Sequence, residues 1–115
     1  MDSILISIKK LLGIAEEYEH FDPDIIIHIN TVFSILCQLG VGPEWGFQIT
    51  DESQTWDEFL PYEDPRLNMV KTYIGTKVRL MFDPPQSSAL KEAMTATISE
   101  LEFRLNIQVD PEKDE

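Results

Sequence analysis

Few side chains in this 115-residue sequence have the type and spacing that catalysis needs. His20 and His28 stand eight apart, and no third or fourth ligand falls at the spacing a shared metal requires. His28 therefore reads as a polar-face or core-edge residue. Cys37 lies inside a helical pattern, where a small buried apolar role is expected of it, not that of a nucleophile. The stretch from Asp51 places oxygens at Asp51, Ser53, Thr55 and Asp57 in the manner of a calcium loop. The pattern breaks where it matters, because Trp56 stands at the glycine position and Tyr62 at the bidentate glutamate position. Gly40-Val41-Gly42-Pro43 lacks the helix-opening glycine and lysine of a phosphate loop. Glu16/Glu17 and Glu100/Glu102 read as solvated faces. No catalytic, cofactor or metal constellation is expected, and the chain reads as a non-enzyme.

Other residues are better suited to contact. Trp45, Phe47, Trp56 and Phe59 cluster in one irregular stretch. They either fold inward as anchors or form an interaction surface, since tryptophan and tyrosine are favoured there. Lys71, Gly75 and Arg79 recur every four residues and share one helical stripe. Glycine inside a helix costs about 1 kcal/mol against alanine, and here it would let another backbone approach beside two cations. Trp45, Phe47, Trp56, Lys71, Gly75 and Arg79 are the candidate interface residues.

The elements that must position them are mainly helical. Asp2 or Ser3 can cap a first helix whose Ile4, Leu5, Ile8, Leu11 and Leu12 follow helical spacing, with Gly13 ending it. Asp22-Pro23-Asp24 signals a second start, with Asp22 as the capping residue. Its apolar face is Ile25, Ile29, Val32, Phe33, Leu36 and Leu39, closed by Gly40. From 41 to 63 the pattern breaks up. Phe47-Gln48-Ile49 alternates like one arm of a short β-ribbon, and Thr55 to Glu58 has capping-box spacing. Asp64-Pro65 repeats the start signal before Leu67, Val70, Tyr73, Ile74, Val78, Met81 and Phe82. Asp83-Pro84-Pro85 makes an extended corner, and Ser87 or Ser88 caps a last helix running past Leu105. The expected fold is all-α: about four main helices with an irregular central loop holding a candidate ribbon. Residues 1–109 are expected to form one helical adaptor domain, and 110–115 a short, charged, acidic tail that frays as chain ends do.

Charge narrows the function classes. The formal net charge is −12, which argues against gripping phosphates or adhering to an anionic membrane. The start offers no basic region for a signal peptide, and no apolar run reaches membrane-helix length. Together with the lone cysteine this predicts a protein of a reducing, cytosolic compartment. Between Lys10 and Arg66 there are twelve acids and no Lys or Arg, whereas residues 66–91 sum to +4. The two blocks either fold against each other within one chain or meet between copies. The second arrangement is heterologous and closes as a ring or runs on as a filament.

Five strings together resemble the small head–tail connector, or head-completion adaptor, proteins of long-tailed bacteriophages and Gram-positive prophages. They are Ile4 to Ile14, Phe21 to Asn30, Gln38 to Pro43, Lys77 to Pro85 and Ile98 to Asn106. The Phe82-Asp83-Pro84-Pro85 corner followed by Glu100-Leu101-Glu102-Phe103-Arg104-Leu105-Asn106 is the most particular part. The resemblance implies a helical, non-enzymatic virion protein without a cofactor. Such connectors assemble as a ring, usually dodecameric, on the portal protein and extend the DNA channel. They also dock the next neck or tail protein, and the isolated chain can be monomeric. An acidic wall suits a conduit, because it repels DNA phosphates. The alternative from another class is an acidic DNA mimic that blocks a nucleic-acid-binding partner; the basic 66–91 block speaks against it.

Overall fold

The computed structural model describes residues 2–109, and these are helical apart from turns and one long loop. The helices are α1 (Ile4–Leu11), α2 (Asp22–Gln38), the single turn α3 (Trp56–Phe59), α4 (Leu67–Phe82) and α5 (Ser88–Val109). The expected all-α architecture is present. The proposed acidic tail, 110–115, lies outside the described residues.

Helix α4 is the central element and packs on α1, α2 and α5. Its Leu67, Val70, Tyr73, Ile74 and Val78 are buried, facing Ile25, Ile29, Val32, Phe33 and Leu36 of α2 and Ile4, Leu5 and Ile8 of α1 within one core cluster. These are the predicted faces, except that Leu12, Leu39 and Phe82 are only half-buried and Met81 and Leu11 are exposed. Helix α5 contributes much less: among its described side chains only Ile98 and Leu105 are buried, while Leu90 and Phe103 face solvent. It lies along α4 as an outer strut, fastened by Tyr73 Oη donating to Glu102 Oε2 at 2.7 Å.

Several predicted ends form as expected. The Ser3 hydroxyl accepts from Ile6 N–H at 3.3 Å, and Ser87 Oγ from Leu90 N–H at 3.2 Å. The Glu58 carboxylate accepts from Thr55 N–H at 2.7 Å, the return arm of a capping box. Gly13 and Gly40 take positive φ behind α1 and α2.

Helix α2 does start at the Asp22-Pro23 signal, but the capping role expected of Asp22 and Asp64 needs correcting. Asp22 is not a cap, because α2 starts on Asp22 itself after Phe21 and no side chain caps it. Its carboxylate turns to Lys9, with Oδ1 2.9 Å from Nζ. Lys9 is only 1% exposed, and its ammonium also donates to the Glu16 and Tyr18 carbonyls at 2.9 and 2.7 Å. This buried lysine ties together α1, the 12–21 connection and the start of α2. Asp64 likewise does not cap α4, which begins at Leu67. It accepts from Arg66 N–H at 2.9 Å and from the guanidinium at 3.1 and 2.7 Å. The residue stabilises the turn ahead of the helix. The Arg66 guanidinium also holds the Asp64 carboxyl below the usual aspartate range.

The candidate β-ribbon does not form: no residue from 41 to 54 is in a strand. Asn30 of α2 takes the place of the missing partner strand. Its amide nitrogen donates to Ile49 O at 3.0 Å, and its oxygen accepts from Ile49 N–H at 2.8 Å. Ile49 is thereby buried with its backbone satisfied. The extended pairing that does occur is an isolated antiparallel bridge between Ser3 and Thr55. Around it, Ile4 N–H donates to Gln54 O at 3.0 Å and Trp56 N–H to Asp2 O at 3.3 Å.

Candidate functional site

The six candidate interface residues divide into two groups. Trp56, Lys71, Gly75 and Arg79 line one groove with Ile6, Lys10, Leu11, Leu90 and Met94. Trp45 and Phe47 lie elsewhere, beside Ser34, Cys37 and Gln38 of α2.

The groove forms where α1, α4 and α5 come together beside Trp56 of α3. Its volume is about 940 Å³. Trp56 makes part of the floor and is 3% exposed. Its indole Nε1 donates to Ser7 Oγ at 3.1 Å, which in turn donates to Ser3 O at 2.6 Å. Trp56 is thus an anchor of the loop against α1, the inward of the two arrangements the sequence leaves open. The Lys71 ammonium sits 5.5 Å from the centre of the Trp56 ring, a cation–π contact at the groove wall.

Gly75 is buried, and the group above it is a side chain of the same protomer. A β-carbon there would meet Leu11 Cδ1 at 2.7 Å. The small residue therefore accommodates the end of α1 where it crosses α4. Lys10, Lys71 and Arg79 line the groove with no carboxylate at ion-pair distance among the described residues. Lys77, two residues before Arg79, instead reaches Glu102 of α5 at 3.9 Å, outside the acidic block. Among the described residues the ion pair that joins the two charge blocks within the chain is Arg66 with Asp64.

Phe47 points inward. Its ring packs edge-on against Phe33 at 5.1 Å and Phe59 at 5.5 Å, and Phe33 and Phe59 lie 4.7 Å apart. Trp45, two residues earlier, is 89% exposed. Of the aromatics in the central stretch, Trp45 and Tyr62 thus face solvent, while Phe47, Trp56 and Phe59 hold the loop in place. Sequence reasoning missed the role of Lys9. A basic residue beside the apolar Ile8 gave no hint that its ammonium would be capped by carbonyls of the following connection.

Chemically, the groove combines apolar side chains with three cations, Lys10, Lys71 and Arg79, and one carboxylate, Asp2. No group of three or more His, Cys, Asp or Glu side chains able to hold a metal is present among the described residues. His20 and Phe21 stack against each other at 4.9 Å, and His28 lies 6.3 Å from Phe82, both in aromatic clusters. No described helix is long and apolar enough to cross a membrane.

No curated protein and no solved structure matches the chain. A family model described as phage connector protein matches residues 4–112, nearly the whole length and all five helices. The chain thus belongs to the phage connector protein family, and with it goes a structural role at the head–tail junction.

Proposed function

We propose that this protein forms a ring beneath the portal, extends the DNA channel and presents a docking surface to the next neck or tail component. The family match over 4–112 carries this reading. The cation-rimmed groove and the acidic 16–64 segment support a head-to-tail contact between copies, the kind of contact that closes a ring. In this reading the chain has no enzymatic activity and works in the virion neck after assembly in the host cytoplasm. A dodecamer is the stoichiometry the resemblance implies. The DNA-mimic reading is less well supported, because Lys10, Lys71 and Arg79 interrupt any continuous acidic face.

The test is sedimentation or electron microscopy of portal-bearing particles mixed with the purified chain. Ring density on the portal is the expected result. Lys71→Glu/Arg79→Glu should lose docking while the isolated chain keeps its helical circular dichroism. A chain that stays in the supernatant but inhibits a DNA-binding enzyme would support the mimic instead.

A further inference from the structure

Trp45 is the most exposed of the large apolar side chains among the described residues, and the segment that carries it is tied to the core on one side. Gly46 N–H donates to Pro43 O at 3.0 Å, closing a turn. Gly42 and Gly46 take φ of +93° and +90°, conformations that suit glycine. Immediately after the turn, Phe47 is clamped between Phe33 and Phe59. The indole therefore projects from a fixed base, with the exposed Glu44 carboxylate next to it in sequence. A tryptophan left in water forgoes the burial of roughly 150–250 Å² that such a ring can provide, so a rigid exposed one suggests a partner.

The groove of α1, α4 and α5 has complementary chemistry. Its 940 Å³ is ample for an indole, and its lining combines the apolar Trp56, Leu11, Leu90 and Met94 with the cations Lys10, Lys71 and Arg79, which outnumber the Asp2 carboxylate there. The residues lining the groove and those around Trp45 have no member in common. A protomer whose knob is engaged still has its own groove open to the next.

We propose that Trp45 of one copy inserts into the groove of a second copy, with Glu44 meeting Arg79 and Lys71 at the rim. The knob and the socket are different surfaces, so the contact is heterologous and propagates from copy to copy. This deepens the ring reading above by naming the contact, and it rests on that reading only for where the ring assembles.

The contact can be read without a portal. Full-length chain carrying Cys37→Ala and Gln48→Cys receives a nitroxide on the exposed position 48 and is mixed, concentrated, with ¹⁵N-labelled wild type. Amides of Lys71, Gly75, Arg79 and Leu90 should broaden. Trp45→Ala, at a site that touches little of its own protomer, should remove the broadening with helicity intact. Glu44→Lys or Arg79→Glu alone should weaken the association about tenfold or more, and the two combined should restore it. No broadening in wild type, broadening confined to other surfaces, or persistence in Trp45→Ala would each overturn the proposal. Portal sedimentation separates the two readings. Wild type that broadens at the groove but never docks on portal sinks the neck function and leaves the contact standing. Trp45→Ala that still forms portal rings sinks the contact and leaves the neck function standing.

Discussion

Asn30 holds the backbone of Ile49 at both polar atoms, 2.8 Å to its N–H and 3.0 Å to its C=O. One side chain of α2 thus does for the central loop what a neighbouring strand does in a ribbon. Asn30→Ala leaves a donor and an acceptor unpaired next to the buried Ile49 side chain, which should cost about 2–4 kcal/mol. Asn30→Asp keeps the acceptor but aims a carboxylate at a carbonyl, so it should not rescue. Urea midpoints of the two variants check both statements. A loss below 0.5 kcal/mol for the alanine variant would mean water replaces the amide (roughly the surface-substitution range).

Lys9 and Asp22 give a second case of a polar group fastening helices. Lys9→Ala removes a nearly inaccessible ammonium and its bonds to two carbonyls, an expected loss of about 2–4 kcal/mol. The Asp22 side chain is 21% exposed, so its own share is smaller, about 1–2 kcal/mol. Asparagine retains capping ability but not charge. Asp22→Asn should therefore lose nearly as much as Asp22→Ala by thermal unfolding, and full retention in the asparagine variant would restore the capping explanation.

Tyr73 makes the α4–α5 contact sensitive to alkali. Burial, followed by its hydrogen bond to the Glu102 carboxylate, pushes the phenol well above its ordinary range. The native state then keeps a proton that the unfolded chain releases near pH 10. Stability is at its full value below that pH and falls as pH rises through and beyond it. Tyr73→Phe should flatten this alkaline limb while costing about 1 kcal/mol at neutral pH for the lost bond. Equal alkaline slopes in both proteins would assign the limb to lysines.

Gly75 and Gly42 predict opposite outcomes for the same substitution. At Gly75 the obstacle is the end of the Leu11 side chain, which is 60% exposed and can swing away. Gly75→Ala should be neutral or raise stability by up to about 1 kcal/mol through helix propensity. At Gly42 the φ is +93° and a β-carbon would overlap the ring of buried Phe59. Gly42→Ala should cost about 2–3 kcal/mol. Differential scanning calorimetry of both variants decides, and destabilisation by Gly75→Ala would show that Leu11 has no room to move.

The helices, their inward faces and most of their ends were legible in the sequence because they depend on local rules. Periodic apolar residues, a capping hydroxyl and a left-handed glycine act within a few residues of each other. The Lys71–Gly75–Arg79 stripe was legible for the same reason, since spacing alone puts those residues on one side of α4. What joined them to Trp56, Lys10 and Leu90 was the packing of α1 and α5 on α4, a long-range outcome without a local signal. Propensity also marked 47–49 as strand-like without saying what would pair with it. The pairing came from an asparagine 19 residues earlier, placed by helix packing. Likewise, Asp22 and Asp64 had the right type and position for caps. Tertiary structure turned Asp22 to the ammonium of Lys9, whereas Asp64 was taken up locally by Arg66, two residues on, through both its backbone N–H and its guanidinium.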